Sequence, residues 1–173
     1  MLAASNIPLK AGRLNSQLLR RPGMADLREY VSSGMLQRDV TEGIGLNMWG
    51  RADDRSDAIM LIAKMCTLGG PSTYMVTLHQ LVQIVQARSD KLRTVENVDY
   101  LFVDWFERRF ANTTERPYSF YELVSVEEFL LQRKNYGKAT YFGGNCVWDQ
   151  HKWWSQEFLV AMSDCVVNMK VGR

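Results

Sequence analysis

At 173 residues, with 46% hydrophobic and 23% charged side chains, the chain can bury most of its apolar surface in one core without disulfides or metals, and its composition excludes disorder over most of its length. Three cysteines in no paired spacing (Cys66, Cys146, Cys165) and two histidines without a CxxC step exclude a disulfide framework and a structural zinc site, so no metal and no cofactor is expected. No apolar run approaches the roughly 18 residues needed to cross a bilayer, and the start lacks the apolar core of a secretory signal, which points to an intracellular, reducing compartment.

The net charge of +2 is unevenly placed. Lys10, Arg13, Arg20 and Arg21 stand in the first 25 residues with no acid among them, whereas the rest of the chain holds slightly more acids than bases. Residues 1–23 therefore read as a basic arm ahead of a folded body, 24–173. Such an arm can neutralise nucleic-acid phosphates, lie against anionic lipid, serve as an import segment or be a solvated tail. Pro8, Gly12, Pro22 and Gly23 interrupt any long helix, so contact with a membrane would be mainly electrostatic.

In the body, MADLREYVS (24–32) predicts a short helix ended by Ser33-Gly34, and GIGLNMWG (43–50), with three glycines, predicts a connecting loop. Asp53 or Asp54 can cap an apolar helix that Gly69-Gly70-Pro71 stops. STYMVTLHQLVQIVQAR keeps helical spacing through Met75, Leu78, Leu81, Val82 and Val85, though its β-branched residues also fit a strand over 73–87. VENVDYLFVDWFERRF carries the clearest amphipathic stripe. Arg108-Arg109 and Arg133-Lys134 would cap helix ends, Asn112-Thr113-Thr114 would lie in a polar loop, and Ser119-x-x-Glu122 and Ser125-x-x-Glu128 form two capping boxes. KATYF fits a short strand or a loop.

The segment GGNCVWDQHKWW (143–154) holds the one arrangement suggestive of chemistry. With Asn145 as N-cap, Val147, His151, Trp154, Phe158, Met162, Cys165 and Met169 form one stripe along a helix of about six turns. On that helix Cys146 and His151 point about 140° apart and do not meet, and His151 turns into the core. The Asn145-Cys146 step after Tyr141 resembles the permuted papain-type proteins, which would imply a thiol enzyme served by the upstream histidine His79. The likeness covers two or three residues, and the family's polar partner and the aromatic after the cysteine are out of register. Trp153 projects from the polar side of the helix, and with Trp148 it is the candidate protein interface.

No phosphate-binding glycine loop and no paired carboxylates are found. The expected fold is mainly α: a single compact domain of about five helices with little or no β structure. The expected function is a non-enzymatic assembly protein, a viral coat- or matrix-type subunit, with the virion as one expected location. It would bind copies of itself and no small-molecule substrate, and its arm (Lys10, Arg13, Arg20, Arg21) would reach RNA, an anionic lipid surface or a neighbouring subunit. The alternatives are an accessory subunit of an organelle complex and the thiol enzyme.

Overall fold

Strands covered on both faces show no polar alternation, so in a sequence they look like short apolar runs. Four of the five strands at the centre of this chain are largely buried in this way, and one edge strand is half exposed. The computed structural model describes residues 5–104 and 118–172. Strands β1 (Gly45–Gly50), β2 (Thr73–Thr77), β3 (Tyr100–Asp104), β4 (Ala139–Gly144) and β5 (Val166–Val171) make one sheet in the order β2-β3-β4-β1-β5. Every pairing is parallel: Asn47 lies opposite Phe142 on one side and Asn168 on the other, and Phe102 lies between Met75 and Tyr141.

This sheet overturns the expectation of a mainly α domain with little β structure. The segment expected as a loop is strand β1, paired on both sides between β4 and β5. Its glycines mark close backbone approach rather than a turn, because a Cβ on Gly45 would fall 1.8 Å from the Thr140 carbonyl oxygen. The segment 73–87 is half strand and half helix. It changes at Thr77, whose hydroxyl accepts from the Gln80 amide while the Gln80 side chain accepts from the Thr77 amide, opening α4 (Leu78–Gln86). The amphipathic stripe breaks into α5 (Lys91–Asn97) and the fully buried β3; the part from Trp105 to Pro117, with Arg108, Arg109 and Asn112, lies outside the described residues. The long last helix is a 3-10 turn (Trp148–Gln150), α7 (Gln156–Met162) and β5.

Other elements lie where their punctuation puts them. Helix α1 spans Ala25–Ser32, α3 spans Ala52–Leu68 and stops at Gly69, and α6 (Phe120–Asn135) opens on the Ser119/Glu122 capping box. Ser125 is inside α6, where its hydroxyl donates to the Tyr121 carbonyl. Helix α2 (Met35–Thr41) follows α1.

Each face of the sheet has its own core. On one, Leu46, Met48, Met75, Phe102 and Tyr141 meet α1, α2, α3 and the N-terminal arm; on the other, Val76, Leu101, Val103, Phe142 and Val166 meet α4 to α7. The arm is part of the first core through Ile7, Ala11, Leu18 and Leu19. It also covers the open edge of β2, where the Met75 amide donates to the Ser5 carbonyl (3.0 Å) and the Asn6 amide group donates to the Met75 carbonyl (2.7 Å). An uncovered edge would template pairing with another chain.

Candidate functional site at the strand ends

In an open parallel sheet the crevice for a ligand lies beyond the carboxyl ends of the strands, where successive connections leave in opposite directions. Here the chain leaves β1 by α3 towards β2, and leaves β4 by α7 towards β5, so the crevice falls between β1 and β4. A single residue, Arg51, joins β1 to α3. Four residues on, the Arg55 side chain turns into the crevice with no exposed surface.

Its partners come from the ends of two strands, β3 and β4. The Arg55 Nη1 donates to the Gly144 carbonyl (2.9 Å) and to the Asn145 Oδ1 (2.5 Å), and its Nε lies 3.8 Å from the Asp104 carboxylate at the end of β3. The next residue of α3, Ser56, donates to the other Asp104 oxygen at 2.8 Å. Burial pulls the Arg55 guanidinium below its ordinary pKa, and the Asp104 charge pulls it back up. Asn145, expected to cap a helix, is spent on Arg55.

Behind this pair a second polar cluster ties β1, β5 and the loop after β4. The Asn47 side-chain amide donates to the Cys146 carbonyl and to Asn168 Oδ1, both at 2.9 Å, and Asn168 Oδ1 also accepts from the Trp148 amide at 2.7 Å. Cys146 and His151 do meet, with Sγ 3.6 Å from Nδ1. The reading that kept them apart assumed a regular helix, whereas residues 145–155 are an irregular segment ended by Ser155, which caps α7 and donates through its amide and hydroxyl to the buried Glu127. The imidazole is 2% exposed and packs against the Gly144 backbone, where a Cβ would stand 2.7 Å from its Cε1. His79, the histidine of the papain-type resemblance, is on α4, stacked on Tyr118 and bonded to Gln83.

A cavity of about 550 Å³ opens beside Ser56 and Asp104, between α3, the end of β2 and the arm; Ile7, Met60, Met75, Thr77 and Gln80 also line it. Among the described residues that line it Asp104 is the only charge. The arm cations stand elsewhere. Lys10 and Arg21 both pair with Asp57 of α3, at 2.7 and 3.3 Å, while Arg13 and Arg20 are exposed. Trp148 is in the second core, its indole donating to the Leu159 carbonyl, and Trp153 is half-buried against the same core.

No family model and no curated protein matches the sequence. Solved structures do match in three dimensions. The chain is similar to a putative primosome component from Streptococcus pyogenes serotype M3 (14% identity, 99% of this chain and 96% of that one, TM-score 0.71). It is also similar to the DnaC helicase loader (13% identity, 88% and 92%, TM-score 0.66) and to a replication initiator DnaA bound to AMPPCP and single-stranded DNA (12% identity, 92% and 52%, TM-score 0.65). At these identities the likeness establishes the fold alone, and the chain spans about half the length of that DnaA.

These neighbours overturn the viral coat- or matrix-type reading, with its virion and capsid. They also overturn a partner set of self-copies without any small molecule, since the neighbours include a nucleotide-bound, DNA-bound initiator and a helicase loader. Among the described residues no helix is long and apolar enough to cross a membrane, and no group of three potential metal ligands is found.

A phosphate-binding version of this fold carries a glycine-rich loop between the first strand and its helix, closed by Lys-Ser or Lys-Thr, and a strand-end aspartate for magnesium. This chain has the aspartate, Asp104. It lacks the glycine-rich loop and the lysine; an arginine, Arg55, stands ahead of the Ser56 hydroxyl that meets Asp104. The sequence signal that could have located Asp104 is the run Tyr-Leu-Phe-Val followed by an acid; Arg55 and Ser56 had none.

Proposed function

We propose that this chain is a DNA-replication accessory module of the helicase-loader kind, which engages single-stranded DNA and a replication partner. The observation that carries the reading is the nearly end-to-end likeness to a putative primosome component at a TM-score of 0.71. The arm supports it: Arg13 and Arg20 are exposed beside the pairs that fasten Lys10 and Arg21 to Asp57. Phosphates would meet Arg13 and Arg20 first, with the two anchored cations adding to the local field. The module works by binding, without turning over a nucleotide between β1 and β4.

The test is retention of a hexameric replicative helicase on single-stranded DNA, with and without this chain. The expected outcome is more helicase retained in its presence; no gain, together with no DNA binding, overturns the reading. For the arm, replacing Arg13 and Arg20 with Gln should flatten the dependence of log K on log salt by about 1.4, because roughly 0.7 counterions are released per phosphate neutralised on a single strand. An unchanged slope assigns the arm to the protein's own core alone.

A further inference from the structure

The nucleotide-bound initiator among the similar structures suggests a nucleoside triphosphate with magnesium for the crevice between β1 and β4, and the residues present do not fit one. We infer that this crevice is closed by the protein's own cation: the Arg55 guanidinium occupies the place of the ligand, neutralises Asp104 and ties the ends of β3 and β4 to α3.

Three independent features of the chain converge there. The first is length. A cradle for phosphates needs several consecutive backbone N–H groups turned towards one point, and the single residue Arg51 between β1 and α3 cannot supply it. The second is charge. The first turn of α3 carries Asp53 and Asp54, whose negative charges at the positive end of the helix dipole would repel a phosphate. The cavity beside Asp104, the open approach to this corner, is lined by one carboxylate and by no lysine or arginine among the described residues.

The third is occupancy. Arg55 is completely buried, yet its side chain is addressed by Gly144, Asn145 and Asp104, which belong to the ends of two different strands. A buried guanidinium needs a countercharge and hydrogen-bond acceptors in fixed positions, and here the strand ends provide both. Gly143 leaves the room this requires, because a Cβ there would stand 2.7 Å from the Asp104 Oδ1 and 3.4 Å from the Arg55 Cδ. A triphosphate would have to expel a paired, desolvated cation and then lie beside an uncompensated Asp104. The inference concerns this one crevice. An uncharged or cationic small molecule has room in the cavity next to it, and nothing in the argument depends on the replication reading.

The experiment is thermal unfolding of the full chain with AMPPCP and magnesium, combined with a double-mutant cycle. A ligand present at 100 times its Kd would raise the melting temperature by roughly 5–10 °C in a protein of this size. The expected result is no shift for the wild type at millimolar AMPPCP. Arg55→Met should lower the melting temperature by roughly 10 °C, since it leaves Asp104 buried without its cation. Arg55→Lys should fall less. Arg55→Met with Asp104→Leu should melt above Arg55→Met alone, because the second change removes the stranded charge. If Arg55→Met does not fold, the comparison of Asp104→Leu with the double variant carries the same information: adding Arg55→Met should cost far less there than in the wild type. A wild-type rise with AMPPCP and magnesium that disappears in Asp104→Asn overturns the inference, as do simply additive losses at positions 55 and 104. DNA binding and helicase retention are separate readouts, so failure of the replication proposal would leave this result standing.

Discussion

Among the described residues two arginines are wholly buried, at opposite ends of the same sheet, and they are held in different ways. At the amino ends of β3 and β4, Arg133 of α6 donates to the Val95, Glu96, Val98 and Ala139 carbonyls at 2.6 to 3.1 Å and to the Thr140 hydroxyl at 3.4 Å. Burial pushes its pKa down to about 10, against the pull of Asp99 and Glu96, so the group stays charged at neutral pH inside a cage of neutral oxygens. At the carboxyl ends Arg55 has a carboxylate of its own, Asp104. The difference separates scaffold from site. Arg133 collects backbone carbonyls left over where α5 turns into β3, whereas Arg55 neutralises an acid placed where this fold elsewhere receives a ligand.

The largest effect that tests the contrast is at the scaffold end. Arg133→Met strands four carbonyls and a hydroxyl, and should cost about 3–5 kcal/mol. It would be read as a lower urea midpoint at unchanged slope. Because the orphaned acceptors are uncharged and on separate elements, no second substitution restores the loss, in contrast to the pair at positions 55 and 104. Recovery of Arg133→Met by a single partner change would break the comparison.

A smaller effect is expected at the other end. The His151 ring fits only because residue 144 has no side chain, and a Cβ would also lie 2.9 Å from Asn47 Oδ1. Gly144→Ala should therefore cost about 1–3 kcal/mol by forcing the imidazole and the Asn47 cluster apart. Lengthening of the Cys146 to His151 contact, seen as a change in the His151 ring resonances, would locate the damage. A variant as stable as the wild type would mean that the loop after β4 is free to move, and Arg55 would then lose its claim to be fixed by it.

What could be read from the residues follows from how each element meets solvent. Helix α1, the stop of α3 at Gly69 and the Ser119 capping box carry local chemistry, in the form of caps and punctuation, and were legible. The strands were not, because Leu101, Phe102 and Val103 are covered on both faces and show an apolar run in place of alternation. Their neighbours misled further: Val95 and Val98 belong to a helix and its end, and by chance continue the stripe into β3. The same coincidence joined Phe158 and Met162 of α7 to Met169 of β5 in one false helix, and so parted Cys146 from His151. At the site, the missing glycines and lysine of a phosphate loop are plain in the residues. The replacement is not, since an arginine four residues into an apolar helix looks like any solvated cation until the strand ends are brought to it.

Acid offers the finest test of the two ends. Asp99, just ahead of β3, accepts from Lys138 Nζ (2.9 Å), the Ser72 hydroxyl (2.7 Å) and the Ser72 amide (3.0 Å), and these bonds, Lys138 first, hold its carboxyl below the usual range. A carboxyl depressed in the folded state stabilises fully above its unfolded pKa of about 3.9, and that contribution disappears as pH falls through the folded value. The side chain is 48% exposed, so screening keeps the effect to a few tenths of a kcal/mol. Asp99→Asn should therefore sit slightly below the wild type from pH 5 to 8, with the gap closing below about pH 4. The deficit of Arg133→Met, whose acceptors do not titrate, should remain nearly flat over the same range. A gap for Asp99→Asn that widens in acid would reverse the sign of the linkage, and would mean that Lys138 and Ser72 do not hold this carboxylate in solution.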